Sequence, residues 1–253
     1  MPLLKYVLIA VSLFASFASQ AKELKIAIGV ELPPYVLNQN SAGIEVDIIT
    51  EALKVKGHTV SFHFIPNLRL PGRLKNREVD ASAQNAYFDI GKEINTPVYD
   101  SATTINYHNF AIAFSDRNFQ IQSVADLAGK RVLAFKNATK YLGTEFAEMA
   151  KGNDTYKEEA KQSNQVKQLY AGRVEVVISE KRIFNYWKHQ AETQGELLRK
   201  NKGKQLQFHT IFDAAPRNVK FLERETRDDF NEGLKFIKAS GLYYAIIKKY
   251  ENM

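Results

Sequence analysis

Strand-like and helix-like spacings of apolar residues alternate along the chain from residue 22 onward. Leu24, Ile26 and Ile28 alternate with charged or small residues and stop at Gly29, the pattern of a half-buried strand. Ile44, Ile48, Ala52 and Val55 recur at helical spacing after Gly43, and Gly57 closes that helix as a C-cap. Val60, Phe62 and Phe64 predict a second strand, Arg69 to Arg77 a short helix and Val79 to Ala83 a third strand. Between the first strand and the first helix, Glu31-Leu32-Pro33-Pro34-Tyr35 cannot be regular, because proline lacks a donor and restricts the residue before it.

The second half repeats the alternation. Phe110, Ile112 and Phe114 form a strand, and Ser123 to Leu127 a short helix with a Ser123/Asp126 capping box. Arg131 to Phe135 is a strand, Thr139 to Ala150 a helix, Asn164 to Tyr170 a helix, Val174 to Ile178 a strand, Glu180 to Gln190 a helix and Leu206 to Phe212 a strand. Two helices end the chain. The first has Thr226 as N-cap and Phe230, Leu234 and Ile237 on its apolar stripe; the second follows Ser240-Gly241 and carries Leu242, Ile246 and Ile247. This order predicts an α/β fold with largely parallel sheets. No Ser/Gly/Pro linker interrupts it, so two domains, if present, are joined by ordered strands.

Composition narrows the setting. The chain has 253 residues, 45% of them hydrophobic and 25% charged, which is ordinary for a folded globular protein. It has no cysteine, which excludes disulfides, zinc–thiolate sites, iron–sulfur clusters and thiol nucleophiles. Met1 to Ala21 reads as a signal peptide: Lys5 is the basic end, Val7 to Phe17 the apolar stretch, and Ser19-Gln20-Ala21 a small-residue cleavage site. The apolar stretch is shorter than the ~20 residues a spanning helix needs. With no cysteine to carry a lipid, the expected product is a free, monomeric protein of a Gram-negative periplasm, not a lipoprotein. The formal charge of +7 becomes +6 once Lys5 leaves. The densest basic run, residues 199–204, lacks interleaved aromatics and reads as a solvated loop, so no nucleic-acid partner is expected.

Motifs of catalysis are missing. His58, His63, His108, His189 and His209 show no metal-ligand spacing, and there is no P-loop, GxGxxG or GxSxG. No metal, cofactor or catalytic residue is expected.

Several segments, in order, resemble the bacterial periplasmic solute-binding proteins of the polar amino-acid type (family 3). Lys25-Ile26-Ala27-Ile28-Gly29 followed by Pro33-Pro34-Tyr35 looks like that family's first strand and aromatic loop. Gly43-Ile44-Glu45-Val46-Asp47-Ile48-Ile49 looks like its Gly-x-x-x-Asp helix start, and Thr96-Pro97-Val98-Tyr99 like its Ser-x-Pro-Tyr. Arg69 and Asp80-Ala81 match a subgroup pattern in which Asn67 stands where a Trp is usual. Residues 123–132 (SVADLAGKRV) and 171–178 (AGRVEVVI) resemble two further family segments. The resemblance spans nearly all of residues 22–253. It implies a type II fold: lobe one from 22–108 plus 216–253, lobe two from 109–215, and hinge strands near Tyr107 to Ala113 and Gln207 to Ala214. A small polar, amino-acid-like solute would bind between the lobes by hinge closure, for import through an inner-membrane ABC permease. A stand-alone sensory protein presenting its ligand to a receptor is the alternative. So is a dehydratase-like enzyme using Glu31 or Glu180.

The resemblance also implies a set of cleft residues. Tyr35 is expected as an exposed aromatic cover on a rigid loop, and Glu31 as an acceptor for an ammonium. Arg69 could hold a carboxylate or tie helices together. Gln84, Asn85 and Tyr87 follow the third strand toward the cleft. Phe88 stands near the place of the family's carboxylate-gripping Arg, with Lys92 the nearest cation, so a clamp of the standard kind is missing or rebuilt. Asn137 and Thr139 precede a helix whose backbone N–H groups offer an anion site or simple capping. Glu180 is expected either to bind an ammonium or to sit at a helix N-terminus.

Overall fold

The computed structural model describes residues 21–197, 201 and 203–251. The predicted signal peptide lies almost wholly outside these residues, as do residues 199, 200 and 202 of the basic run. In chain order the elements are β1 (Glu23–Ile28), α1 (Ile44–Lys54), β2 (Thr59–Phe64), α2 (Leu70–Lys75), β3 (Ala81–Asn85), α3 (Ile90–Ile94), β4 (Tyr99–Asp100), β5 (Ile105–Tyr107) and β6 (Asn109–Phe114). There follow β7 (Val132–Phe135), α4 (Ala138–Tyr141), α5 (Thr144–Lys151), β8 (Lys157–Glu159), α6 (Gln162–Tyr170), β9 (Val176–Glu180), α7 (Lys181–Thr193), β10 (Leu206–His209), β11 (Ala215–Phe221), α8 (Arg224–Ala239) and α9 (Leu242–Tyr250).

Two sheets share these strands. The first runs β2-β1-β3-β11-β4, with β5 also paired to β11; the second runs β10-β6-β9-β7-β8. Each sheet is parallel at its centre, where β1 pairs β2 and β3, and β7 pairs β8 and β9. Each is antiparallel where the chain crosses between sheets, at β11 and at β6. The sheets are therefore mixed and not largely parallel. A strand that enters from the opposite lobe arrives reversed relative to those built by strand–helix–strand units. The α/β, two-lobed architecture is as expected. The chain crosses twice, through His108 between β5 and β6 and through residues 210–214 between β10 and β11.

Each lobe buries apolar side chains on both faces of its sheet. In the first lobe, α1 and α8 cover Ile26, Ile28, Val219 and Phe221 on one face, and Leu70, Leu74 and Ile90 cover the other. Gly233 of α8 lies against the backbone of Ala52 in α1, where any Cβ would strike the Ala52 carbonyl. In the second lobe, Ala111, Ala113 and Phe146 pack on one face, and Ile112, Phe114, Leu169 and Phe184 on the other.

Some local expectations change. The single helix expected from Thr139 to Ala150 is two, α4 and α5, broken at Gly143, whose φ of +89° a helix cannot continue through. Thr226 is not the N-cap of α8. The helix starts at Arg224, and the Thr226 hydroxyl donates to Glu223 instead (3.3 Å). The strand expected from Leu206 to Phe212 ends at His209. The Ser123/Asp126 capping box is present as expected, on a single 3-10 turn.

Candidate functional site

The loop from β1 to α1 brings the first lobe to its boundary with the second. The start of α1 fixes it: Ile44 N donates to Pro34 O (3.0 Å) and Glu45 N to Tyr35 O (3.1 Å). Gly43 makes this approach possible, since its φ is +125° and a Cβ there would lie 2.4 Å from the Tyr35 carbonyl oxygen. Tyr35 is consequently fully buried, not an exposed cover. Its ring stacks on Tyr107 with centroids 4.1 Å apart, and its hydroxyl accepts from Arg182 Nη1 (3.5 Å). Burial, with the nearby Glu180 carboxylate, pushes the Tyr35 phenol well above its ordinary pKa, so it stays a neutral hydroxyl.

Glu180 ends β9 and caps α7. Its Oε2 accepts from Arg182 N (2.7 Å) and Ile183 N (3.0 Å), and Oε1 from His108 N (3.5 Å). Burial pushes its carboxyl up, against the lowering effect of these bonds. The helix-terminus role is the one seen in the geometry. A cavity of about 330 Å³ opens beside it, lined by Pro34, Tyr250 and Glu251 of the first lobe, His108 at the crossing, and Phe110, Glu180 and the first turns of α7. Of the nine expected site residues only Glu180 lines this cavity.

The second expected anchor is already occupied. Asn137 N donates to Glu158 Oε2 (2.7 Å), and both the amide and the hydroxyl of Thr139 donate to Glu158 Oε1 (3.3 and 3.2 Å). Tyr156 adds its hydroxyl at 3.0 Å. The amides expected to receive an external anion thus hold a carboxylate of this chain, because β8 runs parallel beside β7 and places Glu158 next to Ala134. Burial opposes ionisation of Glu158, but these donors outweigh it and hold the carboxyl below the usual range.

The other expected residues are scattered. Arg69 and Glu31 are exposed, and no hydrogen bond or ion pair engages either side chain among the described residues. Asn85 Oδ1 accepts from Tyr87 N (2.8 Å), and the exposed Tyr87 reaches Ala214 O in the crossing segment (3.4 Å). Gln84 is buried on the opposite face of β3, its Nε2 without a partner. Phe88 meets Tyr141 of the second lobe edge-on, centroids 5.8 Å apart. Ile183 of α7 is buried in the first lobe's core, a contact of about 1.5–3 kcal/mol if fully desolvated.

Three residues at the boundary were not anticipated. Glu45, fully buried, holds Arg217 by Nε at 3.2 Å and Nη2 at 3.4 Å, and it accepts from the Tyr107 hydroxyl (2.9 Å). Arg217 lies over the Tyr107 ring at 5.1 Å. A carboxylate one residue into a helix, opposite a lone Arg in a strand 172 residues later, leaves no local signal. Only the Gly43–Asp47 segment hinted at Glu45.

Solved structures resemble this architecture along most of the chain. An ancestral arginine-binding protein bound to glutamine is 18% identical, with a TM-score of 0.64 over 91% of this chain and 98% of that one. Substrate binding domain 2 of Lactococcus lactis GlnP, in its open conformation, is 20% identical, with a TM-score of 0.62 over 91% of this chain and 96% of that one. A histidine kinase sensor domain with similarity to periplasmic binding proteins is 18% identical, with a TM-score of 0.66 over 90% of this chain and 95% of that one. No family model and no curated protein matches the chain by sequence. The chain has the two-lobed type II fold of periplasmic binding proteins.

Proposed function

We propose that the chain is an exported family 3 solute-binding protein that takes a small polar, amino-acid-like solute between its lobes by hinge closure and delivers it to an ABC-type permease. One observation carries this reading. Each lobe has its own sheet and core, the chain crosses only twice, the lobes meet through individual side chains (Tyr35 with Arg182, Phe88 with Tyr141, Ile183), and a cavity of about 330 Å³ beside Arg182 and Glu180 takes its lining from both lobes. Such a boundary can open without unfolding either lobe. The cavity is at the small end of the range for small-molecule sites. The binding and sensor proteins that share the fold support binding without chemistry. The sensor domain among them supports the alternative of a sensory protein, and a permease and ATPase encoded beside the chain would favour import. We assign Glu180, at the cavity, and Asn85 and Tyr87, at the cleft end of β3, to the solute.

The test is thermal unfolding against amino acids, amines and small carboxylates. A bound solute at about 100 times its Kd should raise Tm by roughly 5–10 °C. No shift with any compound at millimolar concentration would overturn the reading, and a solute recovered chemically altered would favour the enzyme alternative.

A further inference from the structure

The most developed polar group at the boundary is Arg217. It stands opposite Asn85 of β3 and Ile105 of β5, and directly paired residues share a sheet face. A guanidinium carries five N–H donors in a planar fork. Three are engaged: Nε with Glu45 Oε1, and Nη2 with Glu45 Oε2 and with Ala83 O (3.5 Å). The two on Nη1 meet no acceptor among the described residues. Nη1 is also absent from the enclosed polar atoms that lack partners, and the side chain keeps 14% of its exposure. The guanidinium is therefore gripped along one edge and open along the other. Tyr107 braces it twice, by its ring under the guanidinium and by its hydroxyl on Glu45.

Arg217 lies near the meeting of the lobes, paired with Asn85 at the end of β3. Tyr141 of α4, in the second lobe, is near enough to act on the Arg217 charge, and it is the residue that touches Phe88 across the boundary. A buried ion pair is a weak source of stability. One held rigidly, with two donors spare where two lobes close, is suited to recognising an anion. Resting on the binding reading above, we infer that Arg217, oriented by Glu45 and Tyr107, holds the carboxylate of the solute through its Nη1 edge. Glu158 already takes the amides of Asn137 and Thr139, so that donor set is closed, whereas Arg217 is held in place with one edge open.

The experiment is calorimetric titration of the mature chain with three acid–amine pairs: L-glutamine and 4-aminobutanamide, L-arginine and agmatine, L-histidine and histamine. The wild type should bind the α-carboxylate member of a pair roughly 10- to 100-fold more tightly than its decarboxylated partner. Arg217→Lys still neutralises Glu45 but has no second edge, and it should lose that same factor for the acid while its affinity for the amine is unchanged. The double variant Glu45→Gln with Arg217→Gln leaves no lone buried charge, so it should fold and show the same loss. Wild-type affinity for the acid in either variant, or equal binding of acid and amine by the wild type, overturns the inference and leaves the binding reading standing. Binding of none of the six overturns it as well, and the broad thermal panel then decides separately whether the binding reading fails.

Discussion

Each lobe holds a carboxylate within a ring of donors, Glu45 in the first and Glu158 in the second, and the two are held in contrasting ways. In the first lobe Glu45 is fully buried and paired with a guanidinium that keeps two donors free. In the second lobe Glu158 is partly exposed and uses the amides of Asn137 and Thr139 together with two hydroxyls. The chemistry is similar, but the surplus is not. A carboxylate can finish a donor set, as Glu158 does, or it can orient one for a second acceptor, as Glu45 does. Which of the two occurs depends on the donor: backbone N–H groups have one hydrogen each, whereas a guanidinium has five.

The largest expected difference between these centres is in stability. Glu45→Ala leaves Arg217 buried without its counter-charge and should cost about 3–5 kcal/mol in urea unfolding. Glu158→Gln should cost less, about 1–2 kcal/mol at pH 7, because its donors can turn to water or to the remaining amide oxygen. That second difference should depend on pH. The folded-state pKa of Glu158 is lowered, so its contribution is complete above the ordinary carboxyl value near 4.3 and is lost as pH falls through the folded value. Unfolding titrations of wild type and Glu158→Gln should therefore converge in acid. Glu180 runs in the other sense. Its pKa is raised by burial, so its contribution is complete below the ordinary value and is lost as pH rises through the folded value. Glu180→Gln should gain on the wild type as pH rises through that value. The smallest expected effect is at the aromatic contact between lobes. Phe88→Ala removes an edge-on pair of about 0.5–1.5 kcal/mol and should lower the closed-to-open ratio by roughly 2- to 10-fold, read as a larger radius of gyration in solution scattering.

Elements with clean periodicity were legible in the sequence. Ile44 to Lys54 and Thr59 to Phe64 sit where the spacing of their apolar residues places them. β11 was not legible, because Pro216, Arg217, Asn218 and Lys220 make it look polar. Lys220 is in fact buried against Asp100 (2.6 Å), and Arg217 against Glu45. β8 was hidden for a similar reason: its three residues, Lys-Glu-Glu, are all charged. The candidate site follows the same rule. The helix-start role of Glu180 could be read from its place before a helix, and the structure has it there. The burial of Tyr35 depends on Tyr107, and the closure of the Asn137–Thr139 amides depends on Glu158. Both are tertiary contacts that the order of residues does not encode locally.

His108 gives the joint between the lobes its mechanical character. It is the single residue between β5 and β6, and both of its peptide groups are held by the start of α7: its N–H by Glu180 Oε1 (3.5 Å), its carbonyl by Lys181 N (3.1 Å). That crossing is not a tether with slack. It acts as a torsion pin geared to a helix, so rotation about it must carry the first turn of α7 along or release it. A displacement at Glu180 then reaches the joint as torque through two hydrogen bonds, and reaches the first lobe's core through Ile183 in the same turn.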